Sequence, residues 1–420
     1  MNVLIKNAKI INPLTNMNQV SDILIADSII MEVGENINSP QGYQVIDARG
    51  LIAFPGLCDI HVHFRDPGWP EKETIETGSK AAIAGGVTTV VNMANTKPVT
   101  DNVETLTYIL DKAKESPITV LQNSAITVGL GGQEIVDTDA QLAAGACGFS
   151  DDGIPIVDVA VMKKAMEEAI RHNKILSLHE EMPSLLFSQG VNYGAVSKQI
   201  GVGGAPGIAE SAIIERDLLL QEQMGGHLHF QHISAARSVD LIREAKARGQ
   251  QVTCEVTPQH LTLTEQVVLD EGANGRINPP IRTNADRLAL IEGIKDGTID
   301  CIVTDHAPHT AAEKAKPFND APSGLIGLET SLCIAYNTLV RGGIIDEMRL
   351  AELMSVTPAK LYGIKKSIEV GQAADITLFD PDIEYVYSVM GSKSCNSPFV
   401  GKKLKGKVKY TLCKGQVHSL

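Results

Sequence analysis

Cysteine pairing is the first thing missing from this chain. Its seven cysteines are scattered singly through 420 residues and never form a C-x-x-C pair, which excludes a disulfide framework and a zinc finger and suits a reducing compartment. Long apolar runs are missing too. No stretch approaches the ~18 uninterrupted apolar residues of a membrane helix, so no membrane partner is expected. Positive charge is in deficit: 37 Lys and Arg stand against 50 Asp and Glu, a net −13 that opposes nucleic acid as the main ligand. A small anionic substrate remains compatible if a local cation receives it. The opening segment, MNVLIKNAKIINPLTN, lacks both the basic region and the continuous apolar region of a signal peptide and reads as a strand, so a cytoplasmic protein is expected. What is present is ordinary: 43% apolar and 21% charged residues are globular values that exclude disordered, collagen-like and coiled-coil chains.

The two ends share one texture. VLIKNAKII, SDILIADSII and YQVIDARG near the start, and ADITLFD, EYVYSV, GKVKYTLCKG and QVHSL near the end, are short strand-like runs separated by turn residues. Neither set buries a core alone, so residues 1–53 and 368–420 are expected to build one small β-sandwich domain together. Between them, in 54–367, eight apolar β-rich runs alternate with amphipathic stretches such as DVAVMKKAMEEAIRHN and SVDLIREAKARG. That alternation predicts an α/β fold and favours a (β/α)8 TIM-like barrel over a doubly wound sheet.

One regularity marks the site. His61 and His63, Asn95, Asp152, His179, His232 and Asp305 all fall at the C-terminal ends of predicted strands, where a barrel gathers its active site. Any one of these histidines alone is more often a packed core residue; their common phase is what singles them out. His61 and His63 alternate on one strand, so both imidazoles face one way and can share an ion while Val62 packs outward. His179 and His232 offer two more neutral nitrogens, and Asp305 opens DHAPH. Four histidines with carboxylates exceed the needs of one tetrahedral ion and suggest two metals needing a bridging anion, which the pair Asp151-Asp152 can supply, one of the two serving as a helix cap. Arg65, two residues past His63, is placed to pair a substrate carboxylate through its fork of donors. His309 can reach the substrate from its loop, and Asn95, Asn278 and the Ser323-Gly324 backbone are amide groups suited to a ring of alternating N–H and C=O. The loop from Thr310 to Pro322 is positioned to close over it. His172 and His418 read as surface residues, His227 and His229 as packed or solvated, and His260 as structural or supporting.

HVHFRDPG, MANT, GFSDDG, LHEE, QHIS, EVTPQHL, INPPIR, TDHAPH and APSGLIGLET occur in this order, and as a set they resemble the dihydroorotases of the amidohydrolase superfamily, in particular the longer bacterial class. The resemblance implies that His61 and His63 bind one zinc ion and His179 and His232 a second, with Asp152 bridging. It implies that Asp305 is both metal ligand and general acid/base, and that Arg65, Asn95, Asn278, His309, Ser323 and Gly324 hold the substrate. The reaction implied is reversible hydrolysis of (S)-dihydroorotate to N-carbamoyl-L-aspartate in pyrimidine synthesis, by a homodimer able to associate with aspartate carbamoyltransferase. Hydantoinases and allantoinases resemble the same scaffold but bridge their metals with a carboxylated lysine, where this chain has GACGF followed by Ser150. Ala94, Gln259 and the absence of Cys after His179 depart from the family pattern without touching a proposed ligand. The alternatives are another cyclic-ureide amidohydrolase and a catalytically silent scaffold relative.

Overall fold

The alternating runs at the two ends of the chain meet in one sheet. A computed structural model describes residues 1–420. The sheet runs Gln416–Ser419, Lys403–Cys413, Ile376–Val386, Ile52–Pro55, Val3–Asn12, Met17–Ala26, Ile29–Gly34, with Gln44–Asp47 also beside Val3–Asn12. Ile52–Pro55 is the joint: it lies parallel to Val3–Asn12 through Lys9–Ile52 and antiparallel to Ile376–Val386 through Ile376–Pro55. The strands of the two ends are therefore joined in one hydrogen-bonded network of eight strands. Ile5, Ile10, Ile23, Ile25, Ile376 and Leu412, drawn from both ends, share its apolar core.

Eight parallel strands lie where the eight apolar runs predict them. Leu57–Val62, Val87–Asn92 and Thr119–Gln122 form one sheet, and Phe149–Ser150, Ile175–Leu178, His227–Phe230, Val252–Val256 and Cys301–Ile302 form another. Leu57–Val62 and Val87–Asn92 are buried along their whole length, as parallel strands covered on both faces must be. Helices intervene and carry their own start signals: Asn102 caps Val103–Lys114, Asp158 caps Val159–His172, and Thr283 with Asp286 closes a reciprocal cap on Asn284–Lys295. None is long and apolar enough to cross a membrane.

The two parallel sheets touch at both seams without a continuous ladder. Isolated parallel bridges join Val62 to His306 and Ser124 to Phe149. At the first seam the buried Asp59 carboxylate accepts from Thr304 N (3.1 Å) and His61 N (3.1 Å), and His63 N donates to His306 O (2.9 Å). At the second, Ser150 N donates to Ser124 O (2.9 Å). All eight strands point the same way, so their C-terminal ends open on one end of the molecule.

Candidate metal centre and substrate cavity

Six side chains from those strand ends converge on one buried point. Asp152, on the turn after Phe149–Ser150, is its centre. Its Oδ1 lies 3.2 Å from His61 Nε2, 3.4 Å from His232 Nε2 and 3.7 Å from His179 Nδ1, and its Oδ2 lies 3.4 Å from His63 Nε2. Asp305 Oδ1 is 3.0 Å from His63 Nε2 and 3.6 Å from His61 Nε2. Two groups of donor atoms fit a metal ion, His61/His63/Asp152 and Asp152/His179/His232, and Asp152 belongs to both. The neighbouring Asp151 faces elsewhere, accepting from Ile126 N (2.7 Å), Thr127 N (3.1 Å) and the Thr127 hydroxyl.

The imidazoles are held from behind. His61 Nδ1 meets Glu255 Oε1 at 2.5 Å and His63 Nδ1 meets Asn95 Oδ1 at 2.8 Å, so both rings turn Nε2 toward Asp152. Glu255 also pairs with His229 Nε2 (2.9 Å), whose Nδ1 meets Thr253 Oγ1 at 2.8 Å. His232 and Asp305 both adopt positive φ, 30° and 48°, a conformation that costs energy in non-glycine residues and is tolerated where surroundings enforce it. Burial disfavours charge throughout, yet Asp152, ringed by His61, His179 and His232, stays well below the usual carboxylate range. His61 is likewise held well above its ordinary value by Asp152 and Glu255, against the effect of burial. A site that keeps carboxylates ionised in the interior demands positive charge. Nitrogen and carboxylate donors with His61 Nε2 and Asp152 Oδ1 buried and unpartnered fit a divalent metal.

Beside this point lies a cavity of about 330 Å³, lined by His63, Arg65, Asn95, Asp152, His179, His232, Asn278, Asp305, Ser323 and Gly324 among others. Arg65 reaches it with its Nε 3.4 Å from Pro308 O, and burial pushes its guanidinium down to about 10, leaving it cationic at neutral pH. His309 stands behind the wall. Its Nε2 lies 2.9 Å from Ser323 O and its Nδ1 3.4 Å from Lys72 Nζ, while burial and the nearby Arg65 and Lys72 drive it down to about 2. It is a neutral ring bracing the Ser323-Gly324 turn. Asn95 both lines the cavity and anchors His63.

Several supporting residues escape sequence reasoning. Glu255 opens the EVTPQHL motif, yet the sequence reading gives it no role. His229, read as packed or solvated, is the buried partner of that carboxylate. His306 carries no role in the sequence reading, yet it is fully buried, with Nε2 3.3 Å from Glu73 Oε2 and Nδ1 accepting from Gly327 N (3.2 Å). His260 is structural: its Nδ1 meets Thr257 Oγ1 at 2.7 Å and its Nε2 meets Pro279 O at 3.1 Å, fixing the segment that carries Asn278. His306 lies within TDHAPH and Glu255 within EVTPQHL, but the partners that define their roles, Glu73 for one and His61 with His229 for the other, are distant in the sequence.

Known proteins resemble this chain in sequence and in fold. A family model described as Dihydro-orotase-like matches residues 50–238. A dihydroorotase from Clostridioides difficile is 46% identical over 416 residues, covering 99% of each chain. Another, from Lactococcus lactis subsp. lactis, is 44% identical over 419 residues, again covering 99% of each. The solved structure of an L-hydantoinase (dihydropyrimidinase) from Arthrobacter aurescens superposes with a TM-score of 0.87 at 28% identity, covering 100% of this chain and 97% of that one. Relatives that share nearly half their residues with it from end to end place the chain in the dihydroorotase family.

Proposed function

We propose that this protein is a zinc-dependent dihydroorotase, opening the cyclic amide of (S)-dihydroorotate to N-carbamoyl-L-aspartate and closing it again. The observation that carries the reading is the sharing of Asp152 between the histidine pairs His61/His63 and His179/His232. In this reading the eight parallel strands of 54–367 act as one (β/α)8 barrel, and residues 1–53 and 368–420 form the attached β domain.

His61, His63, Asp152, His179, His232 and Asp305 would hold two zinc ions, which when bound supply Lewis acidity at the scissile carbonyl and lower the pKa of water. The protein's own groups do the rest. Arg65 pairs the substrate carboxylate, a charge-assisted contact that a neutral ureide cannot offer. Asn95 and Asn278 supply amide groups to the ring edges, and the Ser323-Gly324 backbone, braced by His309, closes the opposite wall. Asp305 takes the proton of the attacking water at its carboxylate and passes it to the ring nitrogen that leaves. Its carboxyl is suited to that transfer, because burial pushes it up but His63 and His61 outweigh burial and keep it ionised to receive a proton.

The test is turnover of dihydroorotate by zinc-loaded protein, with hydantoin, allantoin and dihydrouracil beside it. A strong preference for dihydroorotate, abolished by chelation, is expected. Preference for a neutral ureide would overturn the role of Arg65, and no turnover at full metal occupancy would favour a silent scaffold.

A further inference from the structure

Two residues of the cavity wall, Arg276 and Asn278, carry buried polar atoms without a partner. Arg276 lines the cavity and is only 8% exposed, yet its Nε and Nη1 are buried without a hydrogen-bond partner. Asn278, two residues on, lines the same cavity; its Nδ2 donates to Glu181 Oε2 (2.9 Å), while its Oδ1 is buried and unpartnered. Arg276 has extended backbone (φ −82°, ψ 109°), and the intervening Ile277 packs away into an apolar cluster with Val191 and Leu325, so residues 276 and 278 share the cavity face.

The arginine is also held in place. Its Cζ lies 5.0 Å from the centre of the Phe318 ring, and its stem runs over Gly190, where an added Cβ would come within 2.5 Å of Arg276 Cγ. A rigid buried cation with spare donors is costly to keep unless a ligand supplies the acceptor. Next to it sits a spare acceptor. Together they complement an amide edge that offers C=O and N–H in succession.

We propose that Arg276 and Asn278 read the ureido edge of the substrate, a guanidinium N–H of Arg276 donating to the carbonyl between the two ring nitrogens and Asn278 Oδ1 accepting the adjoining N–H. The identity of the ligand rests on the dihydroorotase reading. The assignment divides the two cavity arginines by chemistry: Arg65 takes the carboxylate, which only acidic substrates carry, and Arg276 takes an oxygen that every cyclic ureide carries. That oxygen survives ring opening as the carbamoyl C=O, so the grip serves substrate and product alike.

The experiment compares two ligands, N-carbamoyl-L-aspartate and N-carbamoyl-β-alanine, which keeps the ureido group and lacks one carboxylate. Their affinities for zinc-loaded wild-type protein, Arg276→Met, Arg276→Lys and Arg65→Met are measured by calorimetry, with competition titration for the weaker ligand. Arg276→Met is expected to weaken both by the same factor, tenfold or more, Arg276→Lys by less, and Arg65→Met to weaken only N-carbamoyl-L-aspartate. Melting temperature and zinc content of Arg276→Lys serve as the folding control. Unchanged affinity in Arg276→Met, or loss confined to the aspartate derivative, overturns the assignment while the dihydroorotase reading stands. Failure of wild-type protein to bind N-carbamoyl-L-aspartate overturns that reading and the assignment with it.

Discussion

At the scale of single residues, two adjacent aspartates with the same chemistry have different surroundings. Asp152 faces four imidazole rings and Asp151 faces backbone amides and a threonine hydroxyl, so substitution should separate metal binding from stability. Asp152→Ala is expected to lower zinc content from two ions toward one or none, because both donor groups lose a shared member. Asp151→Asn should keep both ions and cost about 1–3 kcal/mol, since two buried N–H donors lose a charged acceptor. Metal analysis and urea unfolding of the two variants check this; full occupancy in Asp152→Ala would assign the bridge elsewhere. Spacing alone leaves Asp151 and Asp152 both open, because GFSDDG does not say which carboxylate turns inward, and it is the family resemblance that points to Asp152. His61, His63, His179, His232 and Asp305 were legible because strand-end phase and donor chemistry coincide in them. Glu255 and Arg276 were not: their roles follow from partners distant in the sequence, His61 for one and Phe318 with Gly190 for the other.

Individual elements were legible to the degree that their signals are local. The eight parallel strands announced themselves as apolar runs, and the helix Val159–His172 as the amphipathic run DVAVMKKAMEEAIRHN that opens on its cap Asp158. The joining of the two ends is expected from their shared texture, but the particular pairing that makes it, Ile52–Pro55 against Ile376–Val386, has no local signal. The segment from Thr310 to Pro322 shows how such a non-local tie acts on function. Thr310 and Glu313 cap its short helix, Lys72 Nζ pairs Glu313 Oε1 at 2.8 Å, and the buried Lys314 Nζ donates to Pro322 O (3.0 Å), Gly324 O (2.9 Å) and Arg276 O (3.3 Å). One lysine side chain thus ties the loop to both cavity segments that flank the substrate. Lys314→Met should strand those carbonyls and loosen the loop by about 1–3 kcal/mol, with little effect on strands elsewhere. Limited proteolysis should then cut within 310–322 faster than in wild type, and N-carbamoyl-L-aspartate should slow the cut. Equal cleavage rates with and without the substitution would show that the loop is held by something other than this lysine.

For the molecule as a whole, the arrangement of ligands across the two parallel sheets matters more than their number. His61 and His63 belong to the three-stranded sheet, whereas Asp152, His179, His232 and Asp305 follow strands of the five-stranded one. The seams between these sheets carry only isolated bridges and a few hydrogen bonds, among them those to Asp59. Ions held by ligands from both sides would fasten the sheets together across these seams. Binding to the folded state alone stabilises it by RT ln(1 + [L]/Kd), about 4 kcal/mol at a thousandfold excess of free ligand over Kd. Removing zinc should therefore lower the melting temperature of the whole chain by several degrees, a large domain shifting by roughly 2–4 °C per kcal/mol. Buried carboxylates that lose their counter-charge add to the loss. Differential scanning calorimetry of chelated and zinc-reloaded protein checks the argument, with Asp59→Asn as a second perturbation of the same seam. The substitution weakens the tie from the strand side, so its cost should be larger in the chelated protein than in the reloaded one. Equal melting temperatures with and without zinc would mean that the seams hold by packing alone and that the metals serve the chemistry without supporting the fold.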